Sequence, residues 1–230
     1  MFTLDQVVPW GRSFDEYRRM FALTDDDLQL KIVGCADGPA SFNAVATRRG
    51  STVVSCDPIY RYNVEELRRR IASTCDEILD QTRRNEREFV WSTIRSVDEL
   101  GTVRMAAMND FLGDYPAGLT QGRYVDAELP HLPFGDATFS LALCSHFLFL
   151  YTTQLGEAFH RSAIREMCRV AREVRIFPLL ELGGEPSPLV QRMVDECDSQ
   201  GFDVSIEAVD YEFQRGGNQM MRIRRVRTDG

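Results

Sequence analysis

The sequence predicts an α/β domain built on a mostly parallel sheet that finishes in an antiparallel hairpin. Three observations carry this. Short apolar or β-branched runs at 31–36, 52–56, 123–127, 140–145 and 174–179 alternate with stretches of helical periodicity. The first run breaks into small residues and passes directly into a helix, as a strand does at a ligand-binding turn. Two last strand-like runs, 204–213 and 219–226, flank Gly216-Gly217, a hairpin signal.

Each element has its own local reason. Within 1–29 one helix is expected, because Ser13 with Glu16 makes a capping-box pattern and Phe14, Tyr17 and Phe21 share a face. Residues 40–49 read as a helix closed by Gly50, and 52–56 as a strand ending at Asp57, where Pro58 stops it. The next stretch is unusual. Residues 64–91 and 97–112 both show helical periodicity with many charges and no strand between them, whereas a crossover needs only about a dozen residues. Residues 63–122 are therefore a helical insertion. A helix over 155–172 follows the fourth strand, and Ser187-Pro188 opens a last helix that Gly201 ends. The whole, 1–230, reads as one domain with 1–29 as an N-terminal helical cap.

Composition narrows the function. A hydrophobic content of 43% in 230 residues supports a full core. A net charge of −8 and a pI near 5.0 argue against nucleic acid as partner; the basic run 222–227 reads as a strand with solvated charges. There is no basic, apolar leader and no run of about 20 apolar residues, so a soluble, cytoplasmic protein without membrane contact is expected. The six cysteines are scattered, without CxxC or histidine at ligand spacing, and read as thiols with no metal site. Lys31 is the sole lysine and opens a strand, which disfavours Schiff-base or P-loop chemistry.

In such a sheet ligands bind beyond the carboxyl ends of the parallel strands. The candidates are then Asp37–Ser41, Asp57, Glu128 and Leu129, Ser145 to Phe147, Leu180 and Glu181, and the hairpin tip 214–218 with Arg215 and Asn218. The turn Ala36-Asp37-Gly38-Pro39-Ala40 lets the backbone approach a ligand, but its glycine spacing is shorter than a pyrophosphate-binding loop requires. Asp57, 20 residues beyond Asp37, can accept two charge-assisted hydrogen bonds or cap the turn at Pro58.

Residues 32–42 (IVGCADGPASF), Asp57 and residues 132–143 (LPFGDATFSLAL) together resemble the cofactor-binding half of a class I, Rossmann-like S-adenosylmethionine-dependent methyltransferase. The resemblance covers 31–60 and 123–180, and the hairpin by topology. It implies a seven-stranded sheet with a late antiparallel strand, S-adenosylmethionine as cofactor, and methyl transfer to an acceptor. By that resemblance, residues 36–40 and Ser145 flank the cofactor and Asp57 takes the ribose. Glu128 takes the adenine amino group, with Asp126 as competitor, while the Leu129 amide meets a ring nitrogen. The acid usual two residues before the first turn glycine is here Gly34, and Asp37 can substitute for it at the methionine amino group.

His146 falls where a general base can face the methyl, and its other reading is packing among aromatics. Glu181, Arg215 and Asn218 fall on the substrate side. By analogy with that family, the resemblance implies that the insertion caps the pocket, and hence a small-molecule acceptor. Two rivals are a methyltransferase-like binding or regulatory module without catalysis, and a nucleotide-dependent oxidoreductase, which the glycine spacing disfavours.

Overall fold

A computed structural model describes residues 8–225; residues 1–7 and the expected strand end at Val226 lie outside them. Seven strands form one sheet: β1 (Lys31–Cys35), β2 (Thr52–Cys56), β3 (Tyr124–Val125), β4 (Phe139–Ser145), β5 (Ala171–Phe177), β6 (Phe202–Ala208) and β7 (Gln219–Arg225). Their order is β3-β2-β1-β4-β5-β7-β6. The first five run parallel, and β7 is antiparallel to both its neighbours. This is the mostly parallel sheet with a late antiparallel strand that the strand pattern predicts. From β1 the chain winds outward through β2 and β3, then returns to place β4 on the other side. The carboxyl ends of β1 and β4 are therefore the topological switch point.

Six helices complete the domain: α1 (Phe14–Met20), α2 (Phe42–Arg48), α3 (Val64–Arg84), α4 (Val97–Thr120), α5 (Thr152–Val170) and α6 (Leu189–Ser199). The capping box on α1 is formed in full, with Ser13 accepting from the Glu16 amide and Glu16 accepting from the Ser13 amide. Gly50 takes φ +93° just past α2, a left-handed ending that favours glycine. The central strands are buried on both faces, as parallel strands covered by helices must be. One apolar cluster lies under α5 and α6, and a second under α1 and α2.

Three elements depart from the sequence-based expectation by more than a few residues: α3, expected over 64–91, ends at Arg84, and two others differ as follows. The periodicity predicts a helix to residue 112, yet α4 runs to Thr120 with Pro116 inside it. Tertiary packing outweighs the proline here. Phe111, Leu112 and Tyr115 pack with Tyr60 and Tyr124, and the Tyr115 hydroxyl donates to the Tyr60 and Tyr62 carbonyls (2.7 and 2.9 Å). The strand expected over 204–213 ends at Ala208. The following segment leaves the ladder because Tyr211 donates to Glu16 (2.8 Å) and Phe213 stacks on Phe89 of the insertion (5.0 Å between centroids). Residues 209–218 thus form a long loop over the carboxyl edge of the sheet instead of a tight hairpin turn.

Among the described residues no helix is long and apolar enough to cross a membrane, and no group of three or more His, Cys, Asp or Glu is placed to hold a metal ion. The six cysteines are free.

Candidate cofactor and acceptor site

A cavity of about 160 Å³ opens at the switch point. The turn after β1 forms one wall. Ala36 and Gly38 adopt left-handed φ of +57° and +55°, which fold the chain back so that Asp37 points inward. The Asp37 carboxylate accepts from the Tyr17 hydroxyl (2.9 Å) and the Ser55 hydroxyl (2.6 Å). It lies over Gly34, where a Cβ would come within 1.8 Å of Oδ2. The Asp37 carboxylate thus occupies the space beside the strand where a side chain at residue 34 would stand.

Asp57 ends β2 and faces the same turn. Its Oδ2 accepts from the Gly38 amide (2.8 Å) and its Oδ1 from the Ile59 amide (2.9 Å). The capping reading and the ligand reading are therefore compatible: each oxygen spends one lone pair on the backbone and keeps another. Burial pushes both carboxyls up to about 6. The Tyr17 and Ser55 hydrogen bonds partly offset this for Asp37, and two backbone amides do so for Asp57.

The β4 end supplies Ser145 and His146, both of which line the cavity. Ser145 Oγ and His146 Nδ1 share a hydrogen bond of 2.9 Å. His146 sits at φ +53°, held there by its amide bond to the Phe177 carbonyl (2.6 Å), and its ring meets the Phe177 ring edge-on. Burial, then the charges of Arg12 and Arg104, hold its pKa well below the ordinary value, so the imidazole is neutral at pH 7.

The far wall comes from outside the sheet. Trp10 and Arg12 precede α1; Ile78 and Thr82 belong to α3; Leu100 and Arg104 to α4; Leu182 follows β5; Phe213 and Gln214 lie on the β6–β7 loop. Arg104 is fully buried and ion-paired with Glu16. Burial opposes ionisation of both partners. Their mutual attraction prevails, holding the Glu16 carboxyl at about 2 and raising Arg104 above its ordinary value. Glu16 also accepts from Ser13 and Tyr211, so one carboxylate ties the cap, the insertion and the late loop together.

The structure thus brings Ala36, Asp37, Gly38, Asp57, Ser145 and His146 to one cavity. Pro39 and Ala40 stand behind the turn, with Gly11 packed against the Pro39 carbonyl, where a Cβ would lie 2.1 Å away. The other expected residues lie off the cavity wall. Glu128 is exposed and pairs with His131, and Leu129 is buried in the core beside it. Arg215 is exposed and donates to the Arg87 and Phe89 carbonyls (3.2 and 3.0 Å), clasping the insertion. Asn218 is exposed, and Glu181 presents its carbonyl to Gln214 (2.8 Å). Their neighbours Gln214 and Leu182 line the cavity instead.

Trp10, Arg12, Tyr17 and Arg104 escape a reading confined to strand ends. For Arg104 a signal exists, since it falls on the face made by Val97, Leu100, Ala107, Met108 and Phe111, where an arginine is out of place unless paired.

No family model matches the chain. It is 36% identical over 227 residues to the uncharacterized protein MJ0045 of Methanocaldococcus jannaschii, covering 96% of this chain and 98% of that protein. Among solved structures, it is similar to magnesium protoporphyrin IX methyltransferase from Synechocystis PCC 6803 with bound SAM. That likeness has a TM-score of 0.45 at 12% identity and covers 93% of this chain and 91% of the other. It is also similar to the methyltransferase domain of bacterial CtHen1, with a TM-score of 0.42 at 12% identity over 86% of this chain and 92% of that one.

Proposed function

The chain belongs to the family of the Methanocaldococcus jannaschii protein, and from its own site geometry we propose that it is an S-adenosylmethionine-dependent methyltransferase with a small-molecule acceptor. The observation that carries this reading is the convergence of Asp37 and Asp57 on the Gly38 turn at the sheet's switch point. A turn that brings bare backbone against two buried carboxylates suits a ligand with an ammonium group and a vicinal diol. It suits a pyrophosphate poorly, because both carboxylates would repel one.

S-adenosylmethionine would supply a methyl group already activated by its sulfonium. The chain's own residues then bind, orient and exclude water. Asp37, over Gly34, is placed for the methionine ammonium, and Asp57 for the ribose hydroxyls through its unused lone pairs. The resemblance assigns Glu128 and the Leu129 amide to the adenine edge, outside the wall of this cavity. Ser145 fixes the His146 ring, and the neutral imidazole can accept a proton if the acceptor must lose one. On the acceptor side, Gln214 and Leu182 line the cavity where Glu181, Arg215 and Asn218 were expected. The α3–α4 insertion closes the cavity over them, which favours a small acceptor.

Calorimetric titration with S-adenosylmethionine and S-adenosylhomocysteine, with NADH as control, tests the reading. Micromolar binding of both, without NADH binding, is expected. Folded protein that binds neither would turn the assignment to a module without catalysis, and NADH binding would turn it to an oxidoreductase.

A further inference from the structure

The cavity is polarised. The strand ends contribute Asp37 and Asp57 to it, and the segments outside the sheet contribute Arg12 and Arg104. Arg104 has no exposed surface, and its Nε–H is buried without an acceptor. Arg12 Nε is likewise buried and unpartnered. An unsatisfied buried donor on a charged group is costly, so two at one cavity need an explanation.

A count of charge narrows the explanation. Glu16 neutralises Arg104. Among the described residues, the Arg12 guanidinium makes one hydrogen bond, from Nη1 to the Trp10 carbonyl (3.2 Å), and has no ion-paired carboxylate. The far wall therefore carries about one uncompensated positive charge, which calls for a monoanion. The same cavity is lined by the apolar side chains of Trp10, Ile78, Leu100, Phe89 and Phe213, with the neutral His146 and Tyr17 as polar groups close to the arginines. Burial and the neighbouring Arg104 charge lower the Arg12 pKa to about 10, which is the cost an incoming anion would relieve.

We propose that the acceptor is a small apolar carboxylic acid whose carboxylate is received by the Nε–Nη edges of Arg12 and Arg104 at the insertion side of the cavity. This rests on the methyltransferase reading for the word acceptor, while the carboxylate subsite itself stands on the arginines. The planar guanidinium fork matches a carboxylate in two parallel hydrogen bonds and would satisfy the orphaned Nε donors. The apolar lining fits the body of such an acid, and the carboxylates of the turn would repel its head group and so fix its direction.

Calorimetry with phenylacetate, phenylacetamide and phenyl phosphate as probes, on protein saturated with S-adenosylhomocysteine and on protein without it, tests the subsite. Phenylacetate is expected to bind at least tenfold more tightly than the neutral amide. Arg12→Gln should lose that preference. Arg12→Lys, which keeps the charge without the fork, should fall between, and circular dichroism of each variant reports folding.

Equal binding of acid and amide overturns the proposal. Tighter binding of phenyl phosphate than of phenylacetate overturns the choice of a monoanion. Loss of S-adenosylhomocysteine binding in Arg12→Gln with phenylacetate binding retained would assign Arg12 to the cofactor and overturn it as well. If wild-type protein binds phenylacetate but not S-adenosylhomocysteine, the methyltransferase reading fails and the carboxylate subsite survives.

Discussion

The Asp37 carboxylate fills the space that a side chain on Gly34 would need: a Cβ at residue 34 would lie 1.8 Å from Asp37 Oδ2. The two positions are exclusive, so a side chain at residue 34 and the Asp37 carboxylate compete for one place in the fold. Gly34→Asp alone should therefore overpack the turn, costing about 1–3 kcal/mol. Asp37→Ala alone should leave the Tyr17 and Ser55 hydroxyls without their acceptor. The exchange Gly34→Asp with Asp37→Ala should recover both stability and S-adenosylhomocysteine binding relative to either single variant. Denaturant unfolding and calorimetry measure this, and a double variant no better than the worse single one refutes the equivalence.

That relationship marks where the sequence was legible and where it was not. β2 was readable to the residue, because a β-branched run stopped by Pro58 is a local signal. The capping box on α1 and the turn at 36–40 were readable for the same reason. The position of the Asp37 carboxylate was not, since it depends on Tyr17 and Ser55, 20 and 18 residues away in the chain. The far wall was still less legible. Arg104 meets Glu16 across 88 residues, and Tyr211 meets it across 195. No periodicity encodes such pairings. The course of α4 through Pro116 and the departure of residues 209–218 from the ladder have the same origin, tertiary contacts overriding local preference.

Asp57 offers a narrower test of the cofactor assignment. Asp57→Asn keeps one carbonyl acceptor for the Gly38 or Ile59 amide, so the turn should survive with a small loss of stability. It removes the charge that would strengthen hydrogen bonds from ribose hydroxyls, worth about 1.5–3 kcal/mol. S-adenosylhomocysteine affinity should fall by about 10- to 100-fold at pH 7.5, while thermal unfolding changes little. Unchanged affinity would remove Asp57 from the ligand and leave it a cap.

The pH dependence of binding follows from the same two carboxyls. Asp37 and Asp57 are raised from 3.8 to about 6, chiefly by burial. The native state then holds protons that the unfolded chain releases near pH 4. These groups therefore lower stability as pH rises from about 4 to about 6, and the loss levels off above that. Binding of an ammonium and a diol needs the ionised forms, so affinity for S-adenosylhomocysteine should move the opposite way. It should rise at least about tenfold from pH 5 to pH 7, as expected for one required ionisation near 6. Asp57→Asn should make the profile shallower, leaving the Asp37 step. A flat wild-type profile would show that neither carboxylate contacts the ligand.

Glu16 and Arg104 govern whether the cavity has a far wall at all. The pair is buried, and the Glu16 carboxyl is held at about 2. Its stabilisation is present above the ordinary glutamate value and is lost as pH falls toward 2. Arg104→Met leaves the Glu16 charge buried, with only the Ser13 and Tyr211 donors beside it. That should cost about 3–5 kcal/mol. Adding Glu16→Gln removes the stranded charge and keeps the capping geometry, so the double variant should regain at least half of the loss. A double-mutant cycle in urea at pH 7 reads the coupling directly. Additive losses would mean that the two side chains do not act as a pair, and that the insertion is anchored by its aromatic contacts to Phe213 instead.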